Sequence, residues 1–402
     1  MDLTYLDNNA TTKPLPEVTA AVAEVHESLW ANPSSVHRFG QSVRQRMELA
    51  RASVARLIGG KPREVVLTSG GTEACALAIR GLMDARSGAG SFTVLSTGAE
   101  HAAVRDLCDA IDDRGERGRA AVRLEAAAGG AINLDVLREA LDGLRGEALV
   151  SVMWANNETG VISPLSEIAA VVAEARAAGK KVWLHTDATQ AVGKLPVDVQ
   201  AIGVDLLSFA GHKFHGPKGI GGLWLRRGVR VRPQQIGGPQ ETERRGGTEN
   251  VPGVIGLGVA ADAAAEFVQD AAAVSVLRDR RDRLEAKVKQ ALADRVEVTV
   301  NSGGSDIPRL WNTTNLGFRG LEAEAILLGL SERGVCASAG AACSSGSLEP
   351  SPVLRAMGVE EAVAHGSIRL SLSRFTTEDE VDHAAAVLAE VVGRLAQVMP
   401  MG

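Results

Sequence analysis

Short apolar runs alternate with longer amphipathic segments from about residue 40 to residue 225. The short runs have the length and composition of buried strands. We predict seven strands: Val65–Thr68, Phe92–Leu95, Ala121–Leu124, Leu149–Met153, Val182–His185, Leu206–Phe209 and Gly221–Leu225. Apolar residues at helical spacing predict helices between the earlier strands: Gln41–Leu57, Thr72–Met83, Ala102–Arg114, Leu134–Leu144 and Ser166–Ala178. This alternation predicts an α/β fold, with a mainly parallel sheet and helices on both of its faces.

The pattern changes after Gly247, where one helical stretch extends over roughly Gly253–Leu292. Shorter strand and helix patterns then follow: Val296–Val300, Asn312–Gly317, Glu322–Glu332, Ile368–Ser371 and Thr376–Val398. We therefore predict a large domain over residues 15–260 and a smaller α+β domain over residues 261–402. Residues 1–14 are expected to pack on the small domain, and the long helix is expected to bridge the two.

Composition narrows the function classes. The 402 residues carry a formal net charge of −6, which argues against a protein that binds nucleic acid through bulk positive charge. Aromatic residues make up only 3%, so platforms for stacking bases are not expected either. The first residues lack the apolar core of a signal peptide, and no run of eighteen apolar residues predicts a membrane span. Four cysteines in so long a chain do not indicate a disulfide framework, and we expect a cytoplasmic protein.

The first candidate site lies at residues 65–73, where a predicted strand leads into a glycine turn and then a helix. Small residues there allow backbone N–H groups and the helix N-terminus to meet a phosphate, and a threonine hydroxyl adds another donor. The pattern is also typical of a tight turn followed by a helix cap at Thr72. Alone, it does not decide between the two interpretations.

Two further signals follow later predicted strands. Asp187 comes at the carboxyl end of one strand, where open α/β sheets bind ligands, although it could equally cap the next segment. Lys213 follows another strand among small residues and histidines, where partial burial would make its amine a better nucleophile or base. An isolated lysine of this kind is more often a solvated loop residue.

The order of the three signals changes their weight. A phosphate cradle, an Asp and a Lys are what a pyridoxal-phosphate enzyme requires: an anion site, an anion facing the pyridinium nitrogen, and an amine for the Schiff base. The sequence therefore predicts pyridoxal 5'-phosphate as its cofactor.

At this point the chain resembles the NifS/IscS-type cysteine desulfurases, in the class V aminotransferase group of fold-type I pyridoxal-phosphate enzymes. Ten segments carry the resemblance: YLDNNATT at 5–12, ANPSSVHRFG at 31–40, TSGGTE at 68–73, EH at 100–101, NNETG at 156–160, HTDATQ at 185–190, GHKFHGPKGIG at 211–221, RRGGTEN at 244–250, the cysteine loop at 338–350 and HGSIRLSLSRFTT at 365–377. They span nearly the whole chain in the family's order.

The resemblance implies roles for individual residues. Lys213 corresponds to the Schiff-base lysine, Asp187 to the partner of the pyridinium nitrogen and Gln190 to the partner of the ring's phenolic oxygen. His101 corresponds to a histidine that stacks on the ring and moves protons. The implied phosphate ligands are Gly71, Thr72, His212 and, from the second subunit of a homodimer, Thr248. The implied contacts to the substrate carboxylate are Asn157, Arg369 and Asn32.

Two departures from the family pattern stand out. Ala210 occupies the position three residues before the lysine, where the family usually has a serine that donates to the phosphate. One phosphate hydrogen bond is therefore expected to be missing, or to be replaced by water or a neighbouring hydroxyl. Pro239 and Thr242 stand where a histidine and an arginine are common.

Cys343 lies in a segment made almost entirely of small residues, 337–350. Such a composition favours mobility, which suits a thiol that must reach both a buried cofactor and a partner at the surface. Metal binding is the alternative, but there is no C-x-x-C pair, and no histidine lies at ligand spacing from Cys336 and Cys343. Cys75 and Cys108 are expected to be core or passive thiols, whereas the role of Cys336 stays open.

The resemblance implies that L-cysteine is converted to L-alanine while its sulfur passes to Cys343 as a persulfide, and then to an acceptor such as an iron–sulfur scaffold protein. Transamination or selenocysteine lysis would use the same Lys213 and Asp187 but would need no thiol that accepts sulfur. A catalytically silent scaffold is the alternative from another class. It would tolerate the loss of Lys213, Asp187, Arg369 or Cys343, yet all four are present.

Overall fold

A seven-stranded sheet forms the centre of the larger part of the molecule. The computed structural model describes residues 3–86, 90–115, 118–302, 304, 306–339 and 349–398. After the short β1 (Thr4–Tyr5), the sheet is built from β2 (Val65–Thr68), β3 (Phe92–Thr97), β4 (Arg119–Leu124), β5 (Glu147–Met153), β6 (Lys181–Asp187), β7 (Leu206–Ala210) and β8 (Gly221–Leu225). The strand order is β2-β8-β7-β6-β5-β3-β4, and only β8 is antiparallel to its neighbours. The predicted α/β fold with a mainly parallel sheet is confirmed.

Helices cover both faces of this sheet. They are α1 (Pro16–Ser28), α2 (Arg38–Leu57), α3 (Gly71–Ala85), α4 (Ala102–Asp113), α5 (Leu134–Asp142), α6 (Leu165–Ala177), α7 (Val199–Ile202), the short and irregular α8 (Gln240–Glu243) and α9 (Val251–Phe267). One hydrophobic cluster joins α1, α2, α5, α6 and α9 to one face of the sheet. A second cluster joins α3 and α4 to the other face. Residues 16–28 were not predicted as a helix from the sequence.

The remaining elements form a smaller α+β unit. They are α10 (Ala271–Leu292), β9 (Val298–Val300), β10 (Thr313–Phe318), α11 (Ala323–Ser331), β11 (Val335–Cys336), α12 (Pro352–Ala356), α13 (Glu361–Ala364), β12 (Ser367–Ser371) and α14 (Glu378–Val398). β10 pairs antiparallel with β12 and β9, whereas β1 pairs in parallel with β11. A separate hydrophobic cluster holds Leu6 together with residues of α10, α11 and α14. The division at residue 260 stays a prediction.

The single long helix predicted over residues 253–292 is wrong. Two helices occupy this range, α9 and α10, and their axes are bent by 87° at residues 268–270. The cause is Asp270, whose carboxylate accepts a hydrogen bond at 2.9 Å from the backbone N–H of Ala273 and so caps the start of α10. Among the described helices, none is by itself long and apolar enough to cross a membrane, and only the bent pair α9 and α10 meets that test jointly.

A buried ion pair holds α8 against the large domain. Arg51 on α2 donates to both carboxylate oxygens of Glu241, at 2.6 and 2.7 Å, and the two side chains are 10% and 4% exposed. Glu241 also accepts from the backbone N–H of Leu67 at 2.8 Å. Glu241, Thr242 and Glu243 have φ values of 48°, 59° and 61°, which are strained for residues other than glycine. The ion pair therefore stabilises a strained segment that ends shortly before Thr248.

We expect Glu241→Gln to lower the free energy of unfolding by about 3 kcal/mol, because it removes the buried counter-ion of Arg51 and leaves only the exposed Glu48, at 3.3 Å, beside the buried charge. Denaturant unfolding measures the loss. Glu24→Gln is the control, since Glu24 pairs with Arg46 at 3.4 Å on the surface, where both side chains are more than 40% exposed. That change should cost about 0–1 kcal/mol. Equal losses in the two variants would contradict the structural role given to the buried pair.

Candidate active site

A cavity of about 310 Å³ lies at the carboxyl ends of β5, β6 and β7. Ligands of open parallel sheets bind at this edge. Nine residues named from the sequence line it: Gly71, Thr72, His101, Asn157, Asp187, Gln190, His212, Lys213 and Arg369. They come from segments far apart in sequence, and the sheet and the small unit bring them together.

Lys213 lies in a short 3₁₀ turn directly after β7. Its Nζ donates to the backbone carbonyl oxygens of Asn9 and Ala10, at 2.7 and 2.9 Å. His215, two residues later, has a φ of 68°, and its backbone N–H donates to Thr12 Oγ1 at 2.7 Å. The N-terminal segment therefore forms one wall of the cavity and fixes both the amine and the turn that carries it.

Asp187 is the last residue of β6 and is 4% exposed. Its Oδ1 accepts a hydrogen bond from the backbone N–H of Thr189 at 2.9 Å. Cys75 on α3 lies beneath it, and burial, together with the nearby Asp187 charge, raises the pKa of the Cys75 thiol well above its usual value. Burial likewise raises the pKa of Cys108 to about 11. Both cysteines are core thiols that stay protonated, in line with the sequence-based expectation.

His101 caps the N-terminus of α4. Its Nδ1 accepts a hydrogen bond from the backbone N–H of Ala103 at 3.1 Å. Burial lowers the pKa of His101, while the Asp187 charge opposes this effect. A neutral imidazole that accepts at Nδ1 carries its proton on Nε2. His101 therefore offers an Nε2–H donor beside the cavity.

The turn before α3 is shaped for a compact anion. A side chain on Gly71 would place a Cβ atom 2.9 Å from Thr189 Oγ1, so glycine is required at this approach. Thr189 Oγ1 is buried and has no hydrogen-bond partner among the described residues. His212 also faces this end, and burial, followed by the Lys213 charge, lowers its pKa to about 4, so that it is neutral. Backbone N–H groups at the helix N-terminus and neutral hydroxyl and imidazole groups suit a phosphate.

Arg369 on β12 lines the cavity from the small unit, with its side chain 2% exposed. Its Nη1 donates to the carbonyl oxygen of Asn157 at 3.0 Å, and its Nη2 forms an ion pair with Asp7 at 2.6 Å. Asn157 Oδ1 is buried without a partner in the described part of the chain. The site thus has a cationic end at Arg369, separate from the phosphate-shaped turn.

The segments that flank the predicted cysteine loop reach this cationic end. The backbone of Ser338 exchanges two hydrogen bonds with that of Arg369, at 3.1 and 2.6 Å. On the other flank, Ser351 Oγ donates to the buried Glu158 at 2.6 Å, and Pro352 lines the cavity. Cys343 itself lies outside the described residues. The flank on the N-terminal side of Cys343 nevertheless lies beside Arg369, and the flank on its C-terminal side lies beside Glu158, which follows Asn157 in sequence.

Two residues named from the sequence do not line this cavity. Asn32 is exposed and accepts a hydrogen bond from the backbone N–H of Ser34 at 2.8 Å. Thr248 is also exposed, three residues after Arg245, which forms an ion pair at 2.9 Å with Glu73 in the first turn of α3. Their predicted contacts to substrate and cofactor stay predictions. Cys336 lies on β11 opposite Tyr5 and is half-buried.

The sequence left several residues of the site without a role. Asn9 lies within a quoted motif, yet its two oxygens are hydrogen-bonded to Lys213, Gln190 and Lys194. Glu100 lines the cavity, and burial raises its pKa to about 8 despite a hydrogen bond from the Met153 N–H. The polar residues in the motifs at 5–12 and 100–101 were the only sequence features that could have indicated Asn9 and Glu100. The sequence pattern did not indicate which residues these two contact.

Comparison with known proteins agrees with this geometry. The family model for aminotransferase class-V matches residues 4–384. The chain belongs to this family. It is similar to a cysteine desulfurase of Trichormus azollae, with 45% identity over all of this chain and 95% of the relative. It is also similar to the cysteine desulfurase NifS of Azotobacter vinelandii, with 43% identity over 98% of this chain and 94% of the relative. A solved structure described as a NifS-like protein matches with a TM-score of 0.87 at 30% identity, over 98% of this chain and all of the other.

Members of the class-V family are pyridoxal-phosphate enzymes, and the cavity of this family member fits that cofactor. The fit rests on Gly71 and the unpartnered Thr189 Oγ1 at the anion end, with Asp187 and Lys213 on the walls between that end and Arg369. An anion site, a carboxylate for a ring nitrogen and an amine for an aldehyde are all present in one cavity.

Cofactor retention tests the departure at Ala210, which lines the cavity beside Gly71. We expect Ala210→Ser to bind the cofactor about tenfold more tightly, because a hydrogen bond to a charged group contributes about 1.5–3 kcal/mol. Equilibrium dissociation constants of the two proteins measure the gain. Equal dissociation constants would show that a neighbouring hydroxyl already donates the phosphate hydrogen bond that Ala210 cannot supply.

Proposed function

We propose that this class-V family member is a pyridoxal-phosphate-dependent cysteine desulfurase. It converts L-cysteine to L-alanine, transfers the sulfur to Cys343 as a persulfide and passes it to an acceptor protein. The observation that carries this proposal is the location of the two described flanks of the cysteine loop. Ser338 is hydrogen-bonded to Arg369, and Ser351 to Glu158; both partners line the cavity.

Arg369 and Asn157 would bind the substrate carboxylate. The planar guanidinium offers paired donors to a carboxylate, and Asn157 keeps a buried amide oxygen that can accept from the substrate ammonium or from water. Asp7 already neutralises part of the Arg369 charge. The substrate carboxylate would therefore either replace the Asp7 carboxylate at Arg369 or share the guanidinium with it. These contacts orient the amino acid with its α-carbon toward Lys213.

The residues between the two ends would hold the cofactor and handle protons. When bound, pyridoxal phosphate supplies a ring that accepts the electron pair released when the substrate loses its α-proton. Asp187 would stabilise positive charge on the ring nitrogen, and Gly71, Thr72 and His212 would hold the phosphate. Lys213 Nζ takes the α-proton, and His101 Nε2 holds a second proton beside the cavity.

Sulfur transfer then balances without an external oxidant. The Cys343 thiolate attacks the substrate sulfur; an S–S bond forms as the C–S bond breaks. The electron pair of the C–S bond stays with carbon, which takes up a proton and ends as the methyl group of alanine. The enzyme thiol is oxidised to a persulfide while the substrate carbon is reduced. Thiolates attack sulfur far faster than thiols, so Cys343 must lose its proton before this step.

A homodimer is part of the proposal. Thr248 is exposed and lies outside its own chain's cavity, as expected for a residue that serves the partner's phosphate site. The segments around Asn32 and Thr248 also expose large apolar side chains: Trp30 is 71%, Val36 95% and Ile236 87% exposed. Exposed apolar residues on functional segments are typical of an interface.

The sulfur acceptor is a second protein, which persulfidated enzyme should retain in a pull-down.

Product analysis separates this function from other reactions of the family. Cofactor-loaded enzyme and L-cysteine, without any oxo acid, should yield alanine in amounts that match the sulfur recovered after reduction. A transaminase would instead require an oxo acid and would leave the cysteine sulfur on carbon. Alanine formation that depends on an added oxo acid would contradict the proposal.

A further inference from the structure

Lys194 is a buried amine that the reaction described above does not use. It is 5% exposed, four residues after Gln190, in a helical turn that continues past the end of β6. Gly193 permits this turn, since its φ is 77° and a Cβ there would lie 2.4 Å from Phe214 Cβ. The carbonyl oxygen of Lys194 accepts from Trp311 Nε1 at 3.0 Å. The backbone therefore fixes where the amine can reach.

Both acceptors of the Lys194 amine are neutral amides. Nζ donates to Asn9 Oδ1 at 2.8 Å and to Gln190 Oε1. In the part of the chain that the structure describes, no carboxylate takes part in these contacts. Burial, followed by the charges of Lys213 and Arg369, lowers the pKa of Lys194 well below its usual value. Burying an amine in such surroundings is costly.

The contact with Gln190 fixes which way that amide faces. Gln190 is 3% exposed and lines the cavity. Lys194 Nζ donates to Gln190 Oε1, so the amine engages the amide oxygen and the amide nitrogen faces the other way. One N–H of Gln190 Nε2 donates to the carbonyl oxygen of Asn9 at 2.9 Å. The second N–H has no acceptor among the described residues and is available to the cavity.

Asn9 couples this contact to Lys213. Its carbonyl oxygen accepts from Lys213 Nζ at 2.7 Å as well as from Gln190, while its side chain accepts from Lys194. Asn9 Nδ2 in turn donates to the carbonyl oxygen of Asn157 at 3.0 Å. A flipped Gln190 amide would place its oxygen against the Asn9 carbonyl oxygen. The network is therefore satisfied in one orientation only.

We infer that Lys194 is a positioning residue, which holds the Gln190 amide so that its nitrogen donates a hydrogen bond to the ring oxygen of the bound cofactor. The inference rests on the proposed function for the identity of that cofactor. Without Lys194, the amide oxygen of Gln190 would be buried without a donor, and the Asn9 carbonyl oxygen alone would oppose a rotation of the amide. The ring oxygen, which shares a proton with the Lys213 nitrogen in the loaded enzyme, would lose a donor and become more basic.

The test is a pH titration of the visible absorption of cofactor-loaded protein. Lys194→Met keeps an unbranched side chain, one atom shorter than that of lysine, and removes its donor. We expect the midpoint of the titration to move to higher pH by about one unit, as is typical for the loss of a hydrogen bond to a charged acceptor. Gln190→Leu should give a shift of similar size. The other titratable or charged groups that line the cavity are unchanged in each variant: Glu100, His101, Arg105, Glu158, Asp187, His212, Lys213 and Arg369.

The double variant separates a positioning role from a structural one. If Lys194 acts through Gln190, Lys194→Met should add no further shift in the Gln190→Leu background. A midpoint equal to that of the parent protein in Lys194→Met, or full additivity in the double variant, would overturn the inference. A lower thermal midpoint with an unchanged titration would likewise show a structural role only.

A second variant covers a failure of Lys194→Met to fold. Lys194→Gln keeps a polar side chain that is one atom shorter and presents either an oxygen or a nitrogen to Gln190. It should shift the titration in the same direction by a smaller amount, and no shift would overturn the inference. Parent protein that binds no pyridoxal phosphate would instead contradict the proposed function.

Discussion

Cys343→Ser should bind the cofactor and L-cysteine normally and yet release almost no alanine. Cysteine binding depends on the cavity, Arg369 and Asn157, all of which this change leaves intact. Removal of sulfur needs a thiolate nucleophile, and a serine hydroxyl is a far weaker one toward sulfur. Alanine release should therefore fall by orders of magnitude, while the change of the visible spectrum on addition of cysteine persists.

Cys336→Ser is the matched control, because Cys336 is the described cysteine nearest in sequence and lies on β11, paired with Tyr5. It should keep most of the activity and still form the persulfide. Alanine release at the parent rate in Cys343→Ser would contradict the desulfurase mechanism. Cleavage of the C–S bond without an enzyme thiol, as in selenocysteine lysis, would then become the leading interpretation.

Lys213→Ala should lower the turnover number by at least about 10²–10⁴-fold, since it removes both the group that attaches the cofactor and the base that takes the α-proton. The variant should also lose the visible absorption of the loaded protein. Stopped assays of alanine and spectra of the purified protein measure the two losses.

Attachment can be mapped directly. Borohydride reduction of the loaded parent protein, followed by peptide mapping, should place the pyridoxyl group on Lys213. Lys218 lies five residues further along, outside the residues that line the cavity, and Lys218→Ala should keep both colour and activity. A label on Lys218, or on no lysine, would refute the role given to Lys213.

The parallel sheet could be predicted because most of its strands are short apolar runs that alternate with amphipathic helical segments along the chain. The break between α9 and α10 could not. Its cause is one capping contact from Asp270, and a run of alanines on its C-terminal side continues the helical pattern. A cap of this kind depends on a single side-chain hydrogen bond, and the spacing of apolar residues carries no information about that bond.

Some residues of the site could likewise be predicted from the sequence, and others could not. Asp187 and Lys213 could be named because each follows a strand, and the ends of parallel strands meet at one edge of a sheet. Lys194 could not, since a single lysine after a turn glycine is usually solvated. Its burial results from the N-terminal segment, in which Asn9 lies 185 positions away in sequence. Contacts between residues so far apart in sequence depend on the fold and leave no local pattern.

Relatives with the same end-to-end match are named cysteine desulfurases, and the cavity explains why this chain should share their chemistry. One end suits a phosphate at Gly71, and the other suits a carboxylate at Arg369, next to both described flanks of the cysteine loop. The sulfur atom of a substrate held at Arg369 would thus be bound near the segment that carries Cys343.

A single-turnover experiment tests the central claim most directly. Cofactor-loaded protein is mixed with one equivalent of L-cysteine without reductant, alanine is quantified, and the protein is digested for mass analysis. The account predicts close to one alanine per active site and one added sulfur on the peptide that contains Cys343. Alanine without added sulfur on that peptide, or added sulfur on the peptide of another cysteine, would contradict it.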